Sequence, residues 1–321
     1  MKKFLLILGI VIFLVFYLLV GISFNFPGSD FNTGENGIWL KHKWIGERQP
    51  IQKIKELANN LADHEVKYLF VHSGPFNGTG WVEPDRYPFV NYFLTNLKKI
   101  EPGLVPLAWL GQLRNKLDIS DPEIRDIMAD TAEEFVNDLG FAGVHINIEP
   151  IPNFDEDFIT LLKLIKKRIG DDKILSVTVD EWQPYWITKL VSLHTPSVSF
   201  VSGGYLEEIA EPADQIVVMT YDSGLLSPTF YEWIVSQQVI YSTKYADEAK
   251  ILIAIPAYDE EVPGSFDPKV ENIETGLNGM IKGLNNIRTR EENFSGVAIY
   301  SNLEMSEEEW KTYKSYWQKN D

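Results

Sequence analysis

Phe141-Ala142-Gly143-Val144-His145-Ile146-Asn147-Ile148-Glu149-Pro150 is the stretch on which the fold turns. Apolar and polar residues alternate along it, which is the period of a strand. Strand side chains point to opposite faces in turn, so Val144, Ile146 and Ile148 share one face and His145, Asn147 and Glu149 share the other. The first face suits packing on helices. The second is costly in an ordinary core, because every buried polar group needs a partner. A closed parallel barrel has a place for such a row, since its working residues stand at the C-terminal ends of the strands. The stretch therefore predicts a barrel strand with Glu149 at its mouth.

At about 3.3 Å per residue, Asn147 stands near 7 Å from Glu149 along the strand and His145 about 13 Å below it. Asn147 and Glu149 can thus reach one ligand. His145 reads as a hydrogen-bonded layer residue beneath them, the usual state of a buried histidine.

On either side of this stretch, short segments rich in Val, Ile and aromatic residues alternate with longer amphipathic ones. They predict strands at Gly37–Trp44, Val66–His72, Leu104–Leu110, Ala142–Glu149, Lys173–Val179, Gln215–Tyr221, Ile251–Ala257 and Gly296–Asn302. Helix punctuation falls between them. Ser120-Asp121-Pro122 opens a helix over Glu123–Leu139, Asp155–Ile169 ends in Lys166, Lys167 and Arg168 before Gly170, and Ser306 has capping-box spacing to Glu309. No G-x-G-x-x-G follows any strand, and Gly74, Gly78 and Gly80 lack that spacing. Eight such units in roughly 290 residues make a (β/α)8 TIM barrel rather than an open doubly wound sheet.

The chain begins Met1-Lys2-Lys3 and runs without charge from Phe4 to Phe24. About twenty apolar residues suffice to cross a bilayer, and the run exceeds the roughly 7–15 residues of a cleavable signal. The expectation is a transmembrane helix in a segment spanning residues 1–27. It would leave Lys2 and Lys3 in the cytoplasm and tether a barrel of residues 28–321 on the outer side of the cell membrane. Gly21 and Ser23, small residues at a cleavage spacing, keep secretion open as the alternative.

A net charge of −17 repels phosphate backbones, so nucleic acid is not an expected partner. There is no cysteine, hence no disulfide, thiolate metal site or thiol nucleophile. The five histidines (His42, His64, His72, His145 and His194) form neither H-x-H nor H-E-x-x-H, and no G-x-S-x-G occurs. Neither a metal nor another cofactor is expected.

Two motifs carry a family resemblance. Met219-Thr220-Tyr221-Asp222 matches in full the M-x-Y-D that ends strand six in glycoside hydrolase family 18, the chitinase and endo-β-N-acetylglucosaminidase group. That family's strand-four frame, D-x-x-D-x-D-x-E, falls on Ala142, His145, Asn147 and Glu149, and keeps only the Glu. The resemblance implies retaining, substrate-assisted hydrolysis of N-acetylglucosamine-containing glycans, outside the usual two-carboxylate scheme. In it Glu149 is the general acid and later the base, Tyr221 positions the substrate's acetamido carbonyl, and Asp222 supports the same group. Asn147 offers a neutral oxygen where the family has a carboxylate, a loss of about 1–2 kcal/mol. An Asn two residues before the acid is also the arrangement in family 85 endo-β-N-acetylglucosaminidases.

Aromatic residues make up 13% of the chain and gather at the predicted strand ends, where ring faces can stack on sugars. Trp109, Trp182, Tyr258 and Tyr300, with Met219, are the expected substrate contacts; Trp39 and Trp44 are further aromatics of the same ends. The short segment between strands seven and eight predicts an open groove. Two readings stay open beside the substrate-assisted one. A two-carboxylate retaining enzyme would pair Glu149 with Asp259 or Glu260 about 5–5.5 Å away. A non-catalytic carbohydrate-binding barrel would keep the groove without turnover.

Overall fold

The computed structural model describes residues 26–182, 200–257, 262, 265–300 and 305–318. Eight parallel strands form a closed barrel in sequence order: β1 Asn36–Leu40, β2 Val66–His72, β3 Val105–Leu113, β4 Gly143–Glu149, β5 Ile174–Val179, β6 Gln215–Met219, β7 Lys250–Pro256 and β8 Phe294–Tyr300. Gly37 opposite Ala298 and Ile38 opposite Ile299 close the ring. Among the described residues, one helix of eight or more residues follows each strand: α1 Ile51–Asp63, α2 Val90–Ile100, α3 Pro122–Asn137, α4 Glu156–Ile169, α5 Gly203–Ala210, α6 Pro228–Tyr245, α7 Ile273–Leu284 and α8 Glu307–Trp317.

Two cores result from the strand alternation. Val144, Ile146 and Ile148 join the layer between sheet and helices. Trp39, Phe70, Leu107, Val217, Leu252, Ala254 and Ala298 fill the barrel itself. Close approach of β4 to β5 depends on Gly143, where a Cβ would fall 2.1 Å from the Ile174 carbonyl oxygen.

The predicted caps hold. Asp155 accepts hydrogen bonds from the backbone N–H groups of Asp157 and Phe158 at the start of α4, and Asp121 accepts from that of Glu123 at the start of α3. Ser306 and Glu309 bond reciprocally as a capping box.

Strand one is shorter than expected. It ends at Leu40, and Lys43–Gly46 is a one-turn helix. Trp44 and Ile45 are adjacent and both buried, which a turn of helix achieves and an alternating strand does not. Trp44 therefore packs on Phe93 of α2 at 5.7 Å, in the core between sheet and helices. Among the described residues no helix is long and apolar enough to cross a membrane, and the run Phe4–Phe24 lies outside them.

Candidate active site

Strand four delivers its polar face as the alternation requires. Glu149 ends the strand, in register with Leu113 of β3, and its carboxyl is hydrogen-bonded by the side chain of Asn147. Burial pushes the Glu149 carboxyl up to about 7, the negative charges of Asp180 and Asp222 push the same way, and the Asn147 hydrogen bond opposes them. The group therefore holds a proton close to neutrality. Asn147 Oδ1 is buried and, among the described residues, accepts no hydrogen bond. An acceptor left open in this position awaits an N–H from a ligand.

Below them His145 is fully buried and fully partnered. Ser176 Oγ donates to Gln215 Oε1 at 2.8 Å, so it accepts from His145 Nδ1, also at 2.8 Å. Thr178 Oγ1 then donates to His145 Nε2 at 2.9 Å. The network fixes the Nδ1–H tautomer, and burial pulls the imidazole down to about 3, which keeps it neutral. Its ring stacks on Phe70 at 4.0 Å. The charged relay of the family's motif is replaced here by a neutral, satisfied layer.

Strands six and eight complete the mouth. Tyr221 and Tyr300 stack face to face, with centroids 4.7 Å apart and planes 9° from parallel. Tyr300 also meets the edge of Trp39 at 5.5 Å. Asp222 takes a left-handed backbone with φ 59°, a conformation disfavoured for side chains with a Cβ and tolerated best by Asn and Asp. Glu271, fully buried just before α7, holds this turn. It accepts from Ser223 Oγ at 2.7 Å, from the Ser223 backbone N–H at 3.2 Å and from the Asp222 backbone N–H. Burial nonetheless pushes Glu271 up to about 7.

Trp109 lies beside Asn147 and Glu149 on the wall of a hollow of about 210 Å³. His72 meets its ring edge to face at 4.6 Å. Burial, then the neighbouring His42 and Arg86, pull His72 down to about 4. Met219 shares with Glu149 and Asp180 a small hollow that Ile148, Phe158 and Tyr205 also line.

Trp182 is not among these residues. Its ring stacks on Tyr241 of α6 at 3.6 Å, and its backbone N–H donates to Gln238, so the protein occupies the face that a sugar would need. The chain turns outward after β5 to pair Trp182 with Val201, a direction that strand alternation does not specify. Tyr258, Asp259 and Glu260 lie outside the described residues.

Three carboxyl groups went unread in the sequence. Asp180 and Glu181 follow directly on β5, and the rule that barrel strands end in working residues points to them. Burial, with Asp180 second, pushes Glu181 up to about 8. Glu271 has no such signal, because it enters from the segment before α7. Among the described residues no group of three or more His, Cys, Asp and Glu side chains is gathered closely enough to hold a metal ion.

An acid that keeps its proton near neutrality, at the mouth of a (β/α)8 barrel and under the influence of neighbouring carboxylates, meets the requirement of glycoside hydrolysis, and the class of protein is that of the glycosidases. The chain belongs to glycosyl hydrolases family 18, whose profile matches residues 76–321. No curated protein matches it by sequence. Among solved structures it is similar to the spore cortex-lytic enzyme SleL of Bacillus cereus, at 14% identity and a TM-score of 0.61, covering 89% of this chain and 76% of that one. It is also similar to the family GH18 chitinase of Cycas revoluta. That similarity is 15% identity and a TM-score of 0.61 for the complex with allosamidin, and 13% and 0.60 for the complex with (GlcNAc)3, each covering 88% of this chain and 99% of that one.

Proposed function

We propose that this chain hydrolyses N-acetylglucosamine-containing glycans with retention of configuration, using the substrate's own acetamido group as nucleophile. Glu149 gives its proton to the glycosidic oxygen as the acetamido oxygen attacks the anomeric carbon and the leaving sugar departs. Water then opens the cyclic intermediate, Glu149 takes a proton from that water, and the acid is restored. The observation that carries this reading is the pairing of Glu149, whose burial raises its carboxyl to about 7, with Asn147, whose amide contacts the acid and whose Oδ1, among the described residues, is left without a partner. That oxygen suits the N–H of an acetamido group. Tyr221 and Asp222, on the adjoining part of the mouth, serve the acetamido carbonyl and the same group's charge. Trp109 and Tyr300 supply ring surface for the sugar, and Met219 an apolar contact beside the acid. The solved structures that resemble the chain include a chitinase complexed with (GlcNAc)3, which supports a carbohydrate partner.

The barrel works, in this reading, on the outer face of the cell membrane. The support is the uncharged run Phe4–Phe24 behind Lys2 and Lys3, long enough to anchor it.

Incubating the protein with chitin oligosaccharides, peptidoglycan fragments and N-glycans beside the Glu149→Gln variant tests the chemistry. Reducing ends released by the parent alone, with the β-anomer as first product from a β-linked substrate, are expected. Release by the variant at the parent's rate removes Glu149 from the mechanism, and an α-anomer as first product removes the retaining scheme.

A further inference from the structure

The groove does not end at Trp109. His72 and Trp109 also wall a second hollow of about 310 Å³, which carries the mouth across to β1. Trp39, Leu40 and Lys41 are common to it and to a third hollow, of about 290 Å³, between β1 and α1. The charge changes sign along this path. Glu149, Asp180, Glu181, Asp222 and Glu271 influence one another at the β4–β7 side. At the β1 side, residues 41–55 hold five Lys or Arg and one Glu, in a chain whose net charge is −17. Lys41, Lys43 and Lys53 line the third hollow, against a single carboxylate there, Glu56.

Several features mark the β1 end as a place for a ligand. Among the described residues, no carboxylate forms an ion pair with Lys41 or Lys53, although the chain carries 46 acidic residues. Trp39 is 5% exposed, and among the described residues its indole N–H has no acceptor. A buried donor without a partner costs about 1–3 kcal/mol, which an acceptor on a bound ligand removes. Residues 36–55 also lie ahead of the stretch that matches the family profile.

We infer that the β1 end of the groove is an anion subsite, where Lys41 and Lys53 take a carboxylate-bearing sugar of the same glycan whose N-acetylglucosamine unit lies at Glu149. The substrate class is then a mixed, acidic glycan, with uronate or carboxyalkyl-ether sugars among its N-acetylglucosamine units. An uncharged homopolymer leaves the lysines unused. This inference rests on the glycan-cleft reading of the mouth.

The test is binding, measured by calorimetry with the full chain carrying Glu149→Gln so that nothing is turned over. Chitin oligosaccharides and carboxymethylated chitin oligosaccharides of equal length are compared. Tighter binding of the carboxymethylated form is expected at low salt, with the preference shrinking as salt is added. Lys41→Gln and Lys53→Gln should each cut that preference by about fivefold, the worth of one exposed ion pair. Equal affinity for the two sugars, or a preference that survives both substitutions, overturns the anion subsite alone. Binding of neither sugar overturns the cleft reading with it. Loss of the carboxymethylated sugar to phosphatidylglycerol vesicles, with no preference between the sugars, assigns the lysines to the membrane surface and also overturns it.

Discussion

The two sides of the barrel mouth are built by opposite means. On the β4–β7 side, Glu149, Glu181 and Glu271 are largely buried, and burial together with the charge of nearby carboxylates makes each of the three harder to ionise. On the β1–β2 side, lysines stand at the surface and His72 is held neutral by burial, with His42 and Arg86 nearby acting in the same direction. Buried like charges tune a proton, whereas exposed cations attract and orient a ligand. One side is equipped for chemistry and the other for recognition.

Removing the acid separates the two roles most sharply. Glu149→Gln should lower kcat on any N-acetylglucosamine glycan by about 10²–10⁴, the usual worth of a positioned acid–base group, while binding persists in calorimetry. A variant that loses binding and turnover together would erase the distinction.

Asn147→Asp works in the opposite direction. It restores charge beside the acetamido nitrogen and should raise kcat about ten- to thirtyfold, equivalent to about 1–2 kcal/mol. It also adds a further carboxylate beside Glu149, to Asp180 and Asp222, so the alkaline limb of the rate profile moves to higher pH. An unchanged rate would mean that Oδ1 of Asn147 does not face the substrate.

The proton itself can be shifted without touching the acid. The parent should lose kcat/KM as pH rises through about 7, where Glu149 ionises. Asp180 raises that value, so Asp180→Asn lowers it and brings the limb down by up to about one pH unit. A limb that stays in place would exclude Asp180 from the tuning.

Stability should carry a smaller trace of the same cluster. An unfolded Glu loses its proton near 4.5, whereas Glu149, Glu181 and Glu271 keep theirs to about 7, 8 and 7 in the fold. Between these limits the folded chain binds more protons, so stability falls as pH rises from about 5 to 8. Glu181→Gln should flatten that slope, raising Tm at pH 8 by several degrees, on the order of 1–2 kcal/mol. Thermal melts across the range would show it, and parallel slopes in the two proteins would refute it.

The barrel was legible in the sequence because a closed parallel sheet repeats one simple pattern. Alternation along 143–149 placed Asn147 and Glu149 on one face, and the strand order followed from eight repeats. Ala142, His145 and Asn147 also announced that the family's acidic relay was missing; in its place His145 bonds the hydroxyls of Ser176 and Thr178, and Ser176 in turn donates to Gln215. Trp44 and Trp182 were misread because both follow the last paired residue of their strands, where alternation no longer says which way a side chain turns. Glu271 was invisible for another reason. Its partners Asp222 and Ser223 are some fifty residues away in the chain and meet it only because α7 begins beside the end of β6.

The neutral network around His145 has one more consequence. Since the imidazole stays uncharged down to about 3, titrating the protein from alkaline to moderately acidic conditions neutralises the rim carboxylates while the layer beneath keeps its bonds. The catalytic apparatus thus rests on a foundation indifferent to acidity, and the shape of the sugar-binding surface should stay constant through the whole working range of its proton donor.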